Sequence, residues 1–328
     1  MLALMTTYSP ADVRAVCKPR DAWWTVLLVD PIACRLVLFL ANRTSVTPNQ
    51  ITAVAFLMGM CAAACFATGE RGYLALGALF FHLGFIADCV DGKLARVKGN
   101  GTVFGLWLDF ILDQVRLVVC SFALAFGLVH STGRPEMAYL AGVIIALDLA
   151  RYLNGPQMAK VRRTMRYRLM KAMSEIGKED RGGLDRSVAG IGHDITGEPD
   201  DGGGDAAEGK QRKGRIRRRV RKRAVHRGIH GGIAARFPWY HRVRERLLAH
   251  RIRTHLISGI EYQMAVFVVA PLMGPTAVPY MVGAFGTLLM FFESLLVYKL
   301  WISTRDFGKE MRRLEAQRRS RAEEQLVR

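Results

Sequence analysis

Long apolar runs and short polar connectors alternate in two parts of the chain, before residue 154 and after residue 256. The runs at about 50–68, 73–95, 103–129, 136–153, 257–273 and 277–300 each approach the roughly 20 residues that cross a hydrocarbon layer. This pattern predicts an all-α integral membrane protein with six transmembrane helices. Thr47 and Pro48 give the first run a helix start, an N-cap followed by proline at the first helical position. An earlier stretch, 21–42, is also apolar, but Asp30, Pro31 and Arg35 interrupt it. It reads as an interfacial helix with Trp23 and Trp24 at headgroup level. Connectors alternate in charge: those around Arg71, Arg134 and Met273 are nearly free of basic residues, whereas the others are basic. By the positive-inside rule both termini lie in the cytoplasm. The expected divisions are 1–48, 49–153, 154–256, 257–300 and 301–328.

Charge sharpens this picture. The formal net charge of +19 over 328 residues is concentrated outside the apolar runs. In 156–173, Met158, Val161, Met165, Leu169 and Met173 recur at helical spacing among basic residues, which predicts an amphipathic helix on anionic lipid. Gly, Asp and Glu dominate 177–209, and that composition predicts disorder. Lys210 to Arg223 follows with ten basic residues in fourteen, then an amphipathic stretch at 239–253. The block reads as a positive-inside anchor; it lacks the interleaved aromatics of a nucleic-acid surface. The tail after 301 carries both signs and reads as a solvated helix. Six cysteines, none in a C-x2-C pair, read as small buried hydrophobes rather than disulfides or zinc ligands. Residues 1–20 have no apolar core, so a cleaved signal peptide is not expected. His82 reads as a packing residue, and no P-loop, G-x-S-x-G or H-E-x-x-H element occurs. Abundant Ala, Gly, Arg and Val hints at a high-GC bacterium.

Candidate chemistry gathers between residues 88 and 113. Residues three and four apart share a helix face. Asp88, Asp91, Gly92 and Ala95 therefore form one stripe, and Gly105, Asp109 and Asp113 another on the next helix. Four unpaired carboxylates beside a bilayer are costly, and a hard cation is the usual relief. An all-oxygen set suits Mg²⁺, Mn²⁺ or Ca²⁺ rather than zinc, which predicts a metal site of one or two ions at the membrane–cytoplasm edge. Asp88, Asp91 and Asp109 are the natural shared ligands. Asp113, one turn further on, suits a general base and a further ligand. Gly92, Ala95 and Gly105 leave room for a flat base, or simply for close helix packing. Arg96 suits a phosphate partner or a structural ion pair. Asp148, Arg151, Arg253 and Glu261 are charges near the ends of apolar runs, and the two arginines suit a phosphorylated acceptor or lipid headgroups.

The spacing D-x2-D-G-x2-A-R-x8-G-x3-D-x3-D resembles, at all eight fixed positions, the motif of the CDP-alcohol phosphatidyltransferase family. The resemblance extends over roughly residues 30–153. It implies a six-span homodimer that uses Mg²⁺ or Mn²⁺ and a pocket open to cytoplasm and lipid. It also implies a CDP-linked alcohol donor, typically CDP-diacylglycerol, whose phosphorus distal to cytidine is attacked by an acceptor hydroxyl with release of CMP. The T-P-N-x-x-T segment resembles the family too and adds Asn49 as a nucleotide contact beside Gly92, Ala95, Arg96 and Gly105. The acceptor stays open, inositol phosphate and glycerol phosphate being candidates for Asp148, Arg151 and Arg253. The large basic insertion departs from the compact family pattern, which leaves the donor open as well. Two other readings compete: a divalent-cation transporter with acids along its path, and a membrane-anchored nucleic-acid-binding protein acting through 210–223.

Overall fold

Helix starts in this chain are set by short polar residues, and the computed structural model, which describes residues 7–191, 245–253 and 256–327, follows them. Ser9 and Asp12 close a capping box on α1, Pro10–Ala15. Helix α2, Thr25–Arg43, begins with a π-helical turn over Thr25–Val29. The backbone N–H of Thr47 donates to Gln50 Oε1 at 2.9 Å and opens α3, Pro48–Thr68. Helix α4 runs Arg71–Lys98. Thr102 accepts from the Gly105 N–H at 2.9 Å and opens α5, Val103–Thr132. Helix α6 is Tyr139–Ile191, α7 is Gly259–Met273 with a second π-helical turn at Ala265–Val269, and α8 is Ala277–Val327. Among the described residues the only β pairing is an isolated bridge between Asp21 and Ile252.

Five stretches are long and apolar enough to cross a membrane: α2, α3, α4, α5 and Ala277–Ser320 of α8. The expected six differ from these in three places. Helix α2 qualifies by its length and apolarity, and Asp30, the charge that interrupts its run, is buried and paired with Lys93 of α4 at 3.0 Å. The tryptophans just before it are also held by protein: Trp23 Nε1 donates to Leu256 O at 2.9 Å, and Trp24 meets His82 edge-on at 5.9 Å. The expected span at 136–153 falls in α6, where Asp148 and Arg151 lower the apolarity. The expected span at 257–273 is α7, which is shorter and mostly buried, with Tyr262, Met264, Val266 and Phe267 all at 0% exposure.

The chain divides into two units, 1–153 with 242–294, and 154–241 with 295–328. In the first, Phe267 of α7 stacks between Phe81 of α4 at 4.7 Å and Phe66 of α3 at 6.1 Å. Helices α3 and α5 cross backbone to backbone at Gly69 and Gly127. Gly69 ends α3 at φ 69°, and a Cβ on Gly127 would collide with Phe66 O and lie 2.7 Å from Gly69 N. All six cysteines are free thiols.

In the second unit the end of the 156–173 stripe packs against protein. Leu169 is 1% exposed and packs with Met173 against Phe307, Met311 and Leu314 of α8. The tail thus carries an apolar stripe of its own beneath its charges. Residues 177–191, expected as disordered, continue α6, because extending a formed helix costs far less than nucleating one. The rest of that stretch, together with 210–223 and 239–244, lies outside the described residues.

Candidate active site

The end of α4 and the beginning of α5 bring the acids together. Ligand oxygens of Asp88, Asp91 and Asp109 all lie within 4.8 Å of one another. Asp91 is 5% exposed, and its Oδ2 accepts from Thr52 Oγ1 of α3 at 2.5 Å. Asp109 Oδ1 is buried with no hydrogen-bond partner among the described residues. A buried, unpartnered carboxylate oxygen is costly. Three converging carboxylates with one orphaned oxygen make a hard-oxygen donor set that fits a divalent cation.

Asp113 borders the same small cavity, whose lining includes Asp88, Asp109, Thr52 and Arg116. Its Oδ1 meets Arg116 Nη2 at 2.6 Å. The Arg116 side chain is 7% exposed and that of Asp113 is 39% exposed, so a solute can reach the carboxylate but not its partner. Arg116 runs past Gly59, where a Cβ would collide with its stem, and its guanidinium sits 5.7 Å from the Phe81 ring centre. Arg116 is not among the residues singled out in the sequence, and Thr52 enters there only within the T-P-N-x-x-T segment. A lone arginine in an apolar helix, three residues after Asp113, was the available signal.

A Cβ on Gly105 would sit 2.8 Å from Asn49 Oδ1, so α3 presents Asn49 directly over the first turn of α5. Within 4 Å of a Cβ placed on Gly92, among the described residues, lie only Arg96 Nη1 and Nη2, at 3.6 and 3.9 Å. Arg96 Nε donates to Val16 O at 3.0 Å, which fixes the guanidinium beside Gly92. Ala95 faces Gly101 in the connector at 3.5 Å.

The charges considered for the acceptor fall into two places. Asp148 and Arg151 pair at 2.9 Å on α6, and Phe110 of α5 meets Tyr152 at 5.1 Å, which sets this stretch beside the Asp109–Asp113 turn. Arg253 is engaged elsewhere. Its Nη2 lies 3.4 Å from Asp21 Oδ1, and its N–H donates to Asp21 O at 2.9 Å. Glu261 caps α7, accepting from Ser258 and, at 3.1 Å, from the Trp23 N–H.

Residues 45–176 match the model of the CDP-alcohol phosphatidyltransferase family. The chain is 29% identical to a phosphatidylinositol phosphate synthase of Corynebacterium glutamicum, over 36% of this chain and 51% of that protein. It is 32% identical to a bifunctional IPC transferase and DIPP synthase of Aquifex aeolicus, over 35% of this chain and 31% of the relative. It is likewise 32% identical to an archaetidylinositol phosphate synthase of Pyrococcus horikoshii, over 25% and 42%. The chain thus spans about half or less of the length of these curated relatives.

Proposed function

We propose that this integral membrane protein, whose residues 45–176 match the CDP-alcohol phosphatidyltransferase model, transfers a substituted phosphate from a CDP-alcohol to an acceptor hydroxyl, releasing CMP. One observation carries the reading: Asp88, Asp91 and Asp109 converge within 4.8 Å, with Asp113 on the same cavity. Charge neutralisation and positioning are most of what phosphoryl transfer asks of a protein. Asp88, Asp91, Asp109 and, in part, Asp113 would hold Mg²⁺ or Mn²⁺, with room in the proposal for two ions. Bound there, divalent ions supply the positive charge that neutralises a pyrophosphate.

The remaining roles fall to side chains of this chain. Asn49, Gly92, Ala95 and Gly105 give the cytidine a flat, close-fitting floor, and Arg96 meets a phosphate. Asp113 takes the proton from the acceptor hydroxyl as the hydroxyl oxygen bonds to the phosphorus distal to cytidine. Arg116 aims that carboxylate by holding one of its oxygens. The names of two relatives, a phosphatidylinositol phosphate synthase and an archaetidylinositol phosphate synthase, favour an inositol phosphate acceptor and a CDP-linked lipid donor. Arg151, held by Asp148 and set beside the Asp109–Asp113 turn by the Phe110–Tyr152 contact, suits that phosphate. A bacterial cell membrane, cytoplasmic termini and active site, and a homodimer complete the proposal. The transporter reading loses ground, because the acids gather at one place instead of lining a path.

The test is CMP release by purified protein given CDP-diacylglycerol, Mg²⁺ or Mn²⁺, and inositol phosphate, glycerol phosphate, inositol or serine. Metal-dependent release with inositol phosphate is expected. Asp113→Asn should lose at least about a hundredfold, the lower range for a general base. Release that is metal-independent, or intact in Asp113→Asn, overturns the assignment.

A further inference from the structure

Asp148 is an unusual investment for an apolar helix: a carboxylate at 0% exposure whose Oδ2 has no partner among the described residues. A buried charge of this kind persists where its partners hold it for a purpose. Its other oxygen, Oδ1, takes two donors, Arg151 Nη2 at 2.9 Å and Gln263 Nε2 of α7 at 3.1 Å. A third feature acts on the same arginine. The guanidinium lies in the space that a side chain at Gly259 would fill, and a Cβ there would collide with Arg151 Nε and Cζ and sit 2.7 Å from Nη2. A carboxylate, an amide from the facing helix and a glycine notch therefore fix one side chain.

The arginine so fixed still reaches the surface. Its side chain is 27% exposed, against 0% for Asp148, so a solute that enters can touch the guanidinium and not the carboxylate. The stretch borders the acids through the Phe110–Tyr152 contact, and Asp148 is an electrostatic neighbour of Asp113. An arginine is a forked donor suited to phosphate, and a fixed fork loses less rotamer entropy on binding than a free one. Mere neutralisation of Arg151 would need neither Gln263 nor the notch.

We propose that Asp148, Gln263 and Gly259 are positioning residues that hold Arg151 preorganised for the phosphate group of the acceptor. The proposal rests on the transferase reading above and deepens it. It makes the acceptor's phosphate, rather than its ring, the group read on this side of the site. Gln263 and Gly259 lie far from the motif in sequence, on α7, which gives that short buried helix a task besides packing.

The experiment compares wild type, Gln263→Leu, Gly259→Ala and Arg151→Lys, with two readouts. One is CMP release as a function of inositol phosphate and of CDP-diacylglycerol. The other, independent of turnover, is the rise in unfolding temperature caused by inositol phosphate or inorganic phosphate. In all three variants the acceptor KM should rise by about tenfold or more, equivalent to roughly 1.4 kcal/mol. In Gln263→Leu and Gly259→Ala the kcat and the donor KM should stay within about twofold of wild type, and in all three variants the phosphate-induced thermal shift should shrink in parallel. Arg151→Lys should fail to rescue, because a lysine keeps the charge without the fork. An unchanged acceptor KM, or a fall of kcat with both KM values displaced together, overturns the positioning role and leaves packing. If wild type releases no CMP, the transferase reading fails by itself. The positioning role then stands only if a thermal shift with inositol phosphate is present in wild type and lost in the variants.

Discussion

Thr52 makes a direct side-chain contact with the carboxylate cluster from α3, donating to the buried Asp91 at 2.5 Å while also reaching Pro48 O at 3.1 Å. A hydrogen bond to a buried charge is worth roughly 1.5–3 kcal/mol. Groups that orient a metal ligand commonly change metal affinity by about 10–100-fold when removed. Thr52→Val keeps the shape and removes the donor. The Mn²⁺ or Mg²⁺ concentration giving half-maximal CMP release should therefore rise by about tenfold or more, with little change at saturating metal. An unchanged half-maximal concentration would show that Asp91 needs no help from α3. This pair also marks the limit of what the sequence makes legible. Asp88, Asp91, Asp109 and Asp113 stand out because their spacing is local, i to i+3 or i+4 on two successive helices. The Thr52 contact joins residues 39 apart, and the Asn49–Gly105 contact joins two helices, so neither follows from helical periodicity. Arg116 was legible only as a charge in an apolar run. Its pairing with Asp113 needed the rotamer.

At the level of elements, the site is held by how α3 meets α4 and α5, and the α3–α5 crossing has no spare room. A Cβ on Gly127 would strike the carbonyl of Phe66 and crowd Gly69 N at 2.7 Å, both backbone atoms that cannot rotate away. Overpacking a tight core costs typically about 1–3 kcal/mol, and a backbone obstacle pushes toward the upper end. Gly127→Val should lower the unfolding temperature in detergent and lower CMP release, since the shifted α3 carries Asn49 and Thr52 with it. The conservative Gly142→Ala on α6, where a Cβ meets nothing within 4 Å, should do neither. A Gly127→Val protein with wild-type melting would mean that the two helices do not cross this closely. Periodicity and caps located most helices, Thr47 before α3 being an example, because those signals are written within one turn. At α2, Asp30 reads as a break in an apolar run until Lys93, on another helix, is seen beside it. The apolar stripe Phe307, Met311 and Leu314 was likewise hidden by the charges around it, and only its packing on Leu169 and Met173 exposes it.

The whole molecule separates chemistry from its basic extension. Each residue assigned a role here, from Asn49 to Gln263, lies in the unit formed by 1–153 and 242–294. The other unit is internally held by the Leu169, Met173, Phe307, Met311 and Leu314 cluster and by an exposed pair, Arg318 with Glu175 at 3.4 Å. The exposed pair contributes little, as surface ion pairs do. The apolar cluster therefore carries that packing, since burial of side chains of this size is worth roughly 1.5–3 kcal/mol each. Phe307→Asp places a charge in the cluster and removes its aromatic ring. Arg162, Arg163, Arg166, Arg168 and Lys171, all on the α6 stretch that the cluster covers, are sites for trypsin. Limited digestion should cut that stretch sooner in Phe307→Asp than in wild type, because cleavage follows the population of the opened form. CMP release by the intact variant should remain within about twofold, because no catalytic group loses a partner. Faster digestion with a collapse of CMP release would tie the second unit to catalysis. Equal digestion would show that the tail does not protect α6. The expected pair of results, protease sensitivity gained and turnover kept, would place the basic extension outside the chemistry.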